Sequence, residues 1–272
     1  MRRLLLALAP VFFATSAVAE TPFIIVQSTT STQNSGLYDA ILPQFQEAAD
    51  IEVRVVAVGT GQALKNAQNC DGDVLLVHAK SAEEKFVEDG FGLSRSDVMY
   101  NDFIIVGPAN DPAQIHQLGS ASAALTAIAS TEEPFASRGD DSGTHKKERA
   151  LWEDAVIDPN IGSGTWYRET GSGMGATLNA AIGMNAYTIT DRATWLAFGN
   201  KEQHGILLEG DDALFNQYGV IAVNPAACPN VKQEEGQIFI DWLLSEEGQT
   251  AIGEYRVEGQ QLFFPNGDGT PL

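Results

Sequence analysis

Short apolar runs alternate with stretches of helical periodicity along most of this chain. Four of the runs are rich in β-branched or aromatic residues, which is typical of strands: Phe23–Gln27, Ile51–Ala57, Val74–Val77 and Phe103–Val106. Between the first two runs, apolar residues at positions 37, 41 and 45 share one face of a helix. This alternation predicts an α/β architecture, in which helices cover the faces of a sheet.

Two later segments indicate where the chain crosses between lobes. Each is an apolar strand that ends at a proline, and they cover Asp102–Pro108 and Tyr218–Pro225. A chain that leaves one lobe at the first segment and returns at the second forms a discontinuous lobe I and an inserted lobe II. We predict a two-lobed type II clamp, with lobe I at residues 20–105 and 220–272 and lobe II at residues 106–219. A single three-layer α/β domain is the alternative.

The first 19 residues have the pattern of a secretory signal peptide. Two arginines precede an apolar run at residues 4–13, and the small residues Ala17-Val18-Ala19 follow. This run is shorter than the roughly 20 residues that a membrane-spanning helix needs, although a membrane anchor is the alternative. No cysteine lies near the cleavage point, so we predict a mature periplasmic chain from about Glu20 without a lipid anchor.

The charge of the chain restricts its partners. The sequence contains 16 basic and 36 acidic residues, and residues 1–19 hold two of the basic ones, so the mature chain has a formal net charge of 14 minus 36, or −22. Nucleic acid and anionic membrane surfaces repel such a protein. We therefore expect no nucleic-acid partner, and we expect a monomer. A small anion is not excluded, because a buried site responds to its nearest charges and dipoles.

The chain has two cysteines, Cys70 and Cys228. An oxidising compartment favours a disulfide between them, and each lies in a loop beside a predicted strand of lobe I. Neither has a second cysteine or a histidine at metal-ligand spacing, so we predict a structural bond and no metal site.

Four strand-to-helix junctions share a composition rich in glycine, serine and threonine. They are Ser28–Gly36, Gly59–Gln62, Ser137–His145 and Thr170–Gly175. A helix N-terminus offers free backbone N–H groups, glycine allows close approach, and hydroxyls add donors. One such junction is ordinary helix capping. Two junctions in each lobe predict donors around one small anion, with Thr60 and Ser172 among the candidates.

Arg138 is the most specific candidate in these junctions. Its guanidinium presents donors in a planar fork that suits an oxyanion. An ion pair with Asp140 or Asp141 is the alternative, and it is compatible with ligand binding because an aspartate could hold the arginine in position.

Four motifs carry a resemblance to a known family. They are S-T-T-S-T-Q-N-S-G at residues 28–36, D-V-L-L-V-H-A at 73–79, S-R-G-D-D-S-G-T-H at 137–145 and Y-T-I-T-D-R at 187–192. With them the chain resembles the tungstate-binding component of Tup-type ABC importers over nearly its whole mature length. Ser28 and Asn34 depart from the family pattern, which usually shows threonine and aspartate there.

The resemblance implies a two-lobed clamp that holds tungstate and delivers it to an inner-membrane ABC permease, without a cofactor. It also implies the residues that contact the ligand, from both lobes: Thr29, Thr30, Ser31, Arg138, Ser142, Gly143 and Thr144.

Other ligands, an enzyme, and an extracytoplasmic sensor or receptor-presenting module that uses the same clamp are the alternatives. Phosphate carries a proton near neutral pH and needs an acceptor, whereas the lobe I junctions contain no carboxylate. Molybdate has nearly the size and charge of tungstate, so only the resemblance favours tungstate. Ser142 and His145 could suggest a hydrolase, but no G-x-S-x-G motif is present. His78 follows a buried-looking strand and is predicted to be structural.

Overall fold

The structure is a computed structural model that describes residues 21–257 and 259–267. The predicted signal peptide lies outside these residues. The α-helices are α1 (Thr30–Asn34), α2 (Leu37–Ala49), α3 (Thr60–Gln68), α4 (Lys80–Glu88), α5 (Ala121–Thr131), α6 (Gly143–Asp154), α7 (Met174–Met184), α8 (Arg192–Ala197), α9 (Gln233–Leu244) and α10 (Glu246–Glu254). No helix in this described part is long and apolar enough to cross a membrane.

The strands are short, with one exception. They are β1 (Phe23–Thr29), β2 (Glu52–Val58), β3 (Val74–Val77), β4 (Gly92–Pro108), β5 (Phe135–Ser137), β6 (Tyr167–Glu169), β7 (Thr188–Asp191), β8 (His204–Leu208), β9 (Phe215–Val223), β10 (Arg256–Val257), β11 (Gln260–Gln261) and β12 (Phe264–Pro265). The 17 residues of β4 are about three times the usual strand length.

Burial explains why these segments form strands and helices. All four residues of β3 are buried, because this strand lies between β1 and β9 and is covered on both faces. Its continuous apolar sequence is therefore the pattern of a central strand. In α2, Leu37, Ile41 and Phe45 are buried on one face, as the sequence spacing predicts.

The long strand β4 belongs to both lobes of this α/β fold. The main sheet has the order β12-β4-β9-β3-β1-β2, in which β1 is parallel to β2 and β3, and β9 is antiparallel to β3 and β4. Residues 92–102 of β4 pair with β9, whereas residues 103–108 pair with β7 and β8. The same strand thus leaves one sheet region and enters another.

Separate hydrophobic cores lie on the two sides of this crossing. One contains Ile24, Phe45 and Phe239 and packs α2, α9 and α10 against the main sheet. Another contains Phe103 and Trp152 and packs α5 and α6 against β4, β7 and β8. Along β4, Met99 therefore belongs to the first core and Phe103 to the second.

A disulfide joins Cys70, just after α3, to Cys228, with 5.3 Å between the two Cα atoms. The buried Cys228 packs with residues of α3 and β3 in a third apolar cluster. Both cysteines lie in the region that we assigned to lobe I, and the 158 residues that separate them along the chain include all of lobe II.

Removing this disulfide is expected to destabilise the fold without changing the cleft. A Cys70→Ala/Cys228→Ala variant should lose about 2–5 kcal/mol of unfolding free energy, because the open chain regains loop entropy. Urea unfolding of the variant and of the oxidised wild type measures the difference. Ligand affinity is the control, since neither cysteine lies in the cleft, and equal unfolding midpoints would contradict the expectation.

Candidate functional site

The predicted junctions meet in a cleft between the two lobes. The parallel strands β1, β2 and β3 have their carboxyl ends at one edge of their sheet, and the parallel strands β5 and β6 do the same in the other lobe. The lobes are in close contact there. A Cβ atom on Gly143 of α6 would lie 2.9 Å from Thr60 Oγ1 and 3.3 Å from the carbonyl oxygen of His78, both from the opposite lobe.

On the lobe I side, Thr29 is bonded within its own loop, whereas Ser31 is bonded both to Thr29 and to His78. Thr29 caps α1, because its Oγ1 accepts the Thr32 N–H at 3.3 Å, and it also lies 3.2 Å from Ser31 Oγ. Thr30 Oγ1 and Thr60 Oγ1 are buried and have no hydrogen-bond partner within the protein. These two hydroxyls are therefore lobe I donors that a ligand in the cleft could engage.

On the lobe II side, Arg138 follows β5 and is 2% exposed. Its Nη2 donates to Asp140 Oδ2 at 2.5 Å, and Asp140 Oδ1 accepts the Ser142 backbone N–H at 3.2 Å. Burial alone would raise the pKa of Asp140, but the bonds from Ser142 and the charge of Arg138 outweigh it and lower the pKa. Asp140 is thus a carboxylate that holds the guanidinium, whose Nε has no partner in the protein.

A buried carboxylate supports the residue before Arg138. Glu148 accepts from Ser137 Oγ at 2.8 Å, from Tyr167 OH at 2.6 Å and from Trp152 Nε1 at 3.2 Å. Burial raises the pKa of Glu148 to about 7, although these three donors act against the increase. The bonds fix the end of β5 against α6, and with it the starting point of the Arg138 side chain.

Two long helices of lobe II begin at the cleft. Ser142 caps α6, since its Oγ accepts the His145 N–H at 3.1 Å, and Thr144 Oγ1 is buried without a partner. The N-terminus of α7 lies near α1, because a Cβ on Gly173 would be 3.9 Å from Thr30 Oγ1. Ser172 is half-buried beside it, but its hydroxyl donates to the Thr170 carbonyl at 3.1 Å. The first turns of these helices offer free N–H groups and a positive dipole end.

Buried donors from both lobes at this cleft therefore have no partner in the described part of the chain, and four of them are Thr30 Oγ1, Thr60 Oγ1, Thr144 Oγ1 and Arg138 Nε. A buried donor without a partner destabilises the fold by roughly 1–3 kcal/mol, which a ligand acceptor would recover. The nearby carboxylates are engaged, because Asp140 is bonded as above and Asp191 accepts both the N–H and the hydroxyl of Thr194. The cleft is thus suited to an unprotonated oxyanion.

No cluster of three or more His, Cys, Asp or Glu side chains that could hold a metal ion occurs within residues 21–257 and 259–267. The geometry also does not favour the hydrolase alternative. The His145 ring accepts the Asp141 N–H at 3.1 Å through Nδ1, and the Ser142 hydroxyl accepts the His145 backbone N–H. Both groups therefore stabilise the start of α6.

His78 also lies at this cleft, a placement that the sequence analysis did not predict. It lies directly after β3 and is 4% exposed, with Nε2 3.0 Å from Ser31 Oγ and Nδ1 3.0 Å from Asn216 Oδ1. Burial and the charge of Arg138 lower the pKa of His78 to about 4, against the opposing effect of the Asn216 bond. Its position at the carboxyl end of a central strand was the signal that could have found it.

Known proteins of one family are similar to this chain. The profile of the PBP superfamily domain matches residues 14–247. The tungstate-binding protein TupA of Peptoclostridium acidaminophilum is 51% identical over 247 residues, which cover 89% of this chain and 85% of that protein. This chain belongs to the Tup family of the PBP superfamily.

Two solved structures extend the comparison to the Tup fold. The tungstate-binding protein TupA from Desulfovibrio alaskensis G20 is 46% identical and superposes with a TM-score of 0.77, covering 91% of this chain and 100% of that one. A tungstate ABC transporter protein from Geobacter sulfurreducens is 48% identical with a TM-score of 0.78, covering 86% and 98%. The predicted family and the predicted two-lobed α/β fold are confirmed, and a member of this family is a binding protein and not an enzyme.

Proposed function

We propose that this protein is the solute-binding component of an ABC importer and that it captures tungstate between its lobes. The observation that carries the proposal is the set of four buried, unpartnered donors at the cleft: Thr30, Thr60, Thr144 and Arg138. The names of the Tup relatives support tungstate as the ligand. No cofactor is needed, because capture requires donors and closure but no bond making.

The binding mechanism follows from the two sides of the cleft. Arg138 supplies a full positive charge, and the first turns of α3, α6 and α7 supply backbone N–H groups and dipoles. The dianion would accept hydrogen bonds from lobe I hydroxyls and from lobe II donors at the same time. Because it can contact both lobes only in the closed cleft, binding would stabilise the closed form. The candidates Thr29, Ser142 and Ser172 would act through the loops that they brace, and Gly143 would allow the two lobes to approach closely. Ser31 lies beside them and is hydrogen-bonded to His78.

The proposed lobes are residues 20–105 with 220–272, and residues 106–219. The pairing of β4 supports a first crossing near Asp102, and the packing of Tyr218 in the core of the main sheet supports a second one near Phe215. Arg192 braces the first crossing, since it donates to Asp102 at 2.7 and 2.6 Å and pairs with Glu209. These strands would act as the hinge.

The partner and the compartment are also part of the proposal. The captured oxyanion would pass to an inner-membrane permease, and the protein would work as a periplasmic monomer without lipid anchor or nucleic-acid partner. The signal-peptide pattern at residues 1–19 and the acidic composition support this assignment.

Thermal unfolding with tungstate, molybdate, phosphate and sulfate, each in separate excess, tests the function. A ligand at about 1,000 times its Kd adds about 4 kcal/mol to the unfolding free energy, which raises Tm by roughly 8–16 °C for this size. We expect that increase with tungstate and much less with phosphate or sulfate. An increase in Tm with phosphate alone would show that the ligand is phosphate and not tungstate. An equal increase with molybdate would show that the protein does not select tungstate over molybdate. No increase in Tm with any of the four anions would reject the proposed function.

A further inference from the structure

A directed chain of hydrogen bonds ends at the lobe I side of the cleft. Asn216 Nδ2 donates to Asn101 Oδ1 at 2.6 Å, so the other end of this amide, its Oδ1, faces His78 Nδ1. An oxygen acceptor at that position requires Nδ1 to carry the ring proton. In the neutral imidazole Nε2 is then a bare acceptor, and Ser31 must donate its hydroxyl hydrogen to it.

The direction of this chain limits what Ser31 can offer a ligand. A hydroxyl has one hydrogen, and the Ser31 hydrogen is committed to His78 Nε2. Thr29 Oγ1, at 3.2 Å, is the other side-chain partner of Ser31 Oγ and lies in the same loop. As long as His78 is neutral, Ser31 therefore presents only lone pairs to an oxyanion. Lone pairs repel an oxyanion, which needs a hydrogen-bond donor.

We propose that His78 is a positioning residue for oxyanion capture, and that binding of the dianion adds a solvent proton to His78 Nε2. The new Nε2–H bond donates to Ser31 Oγ, the hydrogen bond reverses its direction, and the Ser31 hydroxyl becomes free to donate to the ligand. This inference rests on the proposed function and assigns a role to a residue that is not itself among the four unpartnered donors.

The charges around His78 explain why the ligand controls its protonation. Arg138 acts on the ring from the opposite lobe, while Tyr218 stacks on it with 4.7 Å between ring centroids. A cavity of about 540 Å³ beside the ring gives access to solvent and includes the charged residues Lys80, Asp97, Lys146 and Lys147. Without ligand, burial and Arg138 disfavour the imidazolium. A dianion has twice the charge of Arg138 and the opposite sign, so it favours the imidazolium.

Calorimetry of tungstate binding in buffers with different ionisation enthalpies measures the proton uptake. Between pH 8 and 6 we expect wild type to take up a fraction of a proton that rises as the pH falls. The bound form holds more protons, so affinity increases toward low pH by at most about tenfold per pH unit. His78→Gln should bind without this uptake and with a flatter pH profile. His204→Gln is the control, because this half-buried histidine lies in β8, where it pairs with Pro108 of β4, and its uptake should equal that of wild type.

A second variant separates this role from simple support of the fold. Asn216→Asp places a carboxylate on His78 Nδ1 and should raise the His78 pKa, moving the proton uptake to higher pH. A purely structural role would instead lower affinity equally at every pH. The inference is overturned if wild type binds tungstate without proton uptake, or if His78→Gln keeps the uptake. Absence of tungstate binding in wild type would reject the proposed function itself, and the inference with it.

Discussion

Arg138→Ala is expected to lower tungstate affinity by about 100-fold or more while the protein stays folded. The variant loses charge-assisted hydrogen bonds of roughly 1.5–3 kcal/mol each, and every 1.4 kcal/mol corresponds to a factor of ten in Kd. It also leaves the Asp140 carboxylate without its cation, so that a negative charge would face the ligand. Titration calorimetry gives the affinity, and thermal unfolding without ligand checks the fold.

Two further variants test why Arg138→Ala loses tungstate affinity. Arg138→Lys keeps the charge but not the planar fork, so it should recover only part of the affinity. Arg149→Ala is the matched control, because Arg149 is a half-buried arginine of α6 whose side chain donates to Asn160 at 3.4 Å and interacts with Tyr167. If Arg138→Ala bound tungstate as well as Arg149→Ala, the site would be misplaced.

Gly143→Ala is expected to weaken binding by about 10-fold to 100-fold because it prevents full closure. The added methyl would lie 2.9 Å from Thr60 Oγ1 and 3.2 Å from His78 Cε1, both across the cleft. Overpacking of this kind destabilises a closed contact by about 1–3 kcal/mol. The open form should be unaffected, since alanine is a better helix residue than glycine.

Small-angle scattering with saturating tungstate distinguishes a closure defect from a lost contact. The Gly143→Ala variant should keep a larger radius of gyration than wild type under these conditions. Gly175→Ala is the control, because Gly175 also lies in the first turn of a cleft helix but a Cβ there meets no atom within 4 Å. Equal affinities of the two variants would show that the lobes do not close on Gly143.

The sequence predicted the elements of the site because those elements are local. The period of apolar residues sets which face of α2 is buried, and glycine and hydroxyl residues at a strand end mark the start of a helix whether or not a ligand is present. The positions of Thr60, Arg138 and Thr144 at such junctions could therefore be predicted before any contact was known. The sequence by itself does not locate the crossing along β4 to the residue, because a continuous apolar strand has no local signal where its partners change.

Only the tertiary structure decides which of the hydroxyl groups lack a hydrogen-bond partner. Ser31, Ser172 and Thr144 look alike in the sequence, yet Ser31 is bonded to His78, Ser172 donates to the Thr170 carbonyl, and Thr144 has no partner. The chain by itself determined an α/β clamp with donor-rich strand ends, because periodicity and capping act between neighbours. The direction of the hydrogen bonds from Asn101 through Asn216 to His78 could not be predicted in this way. Asn216 is more than 100 positions from each of its two partners, and only folding brings the hydrogen-bonding atoms within 3 Å of one another.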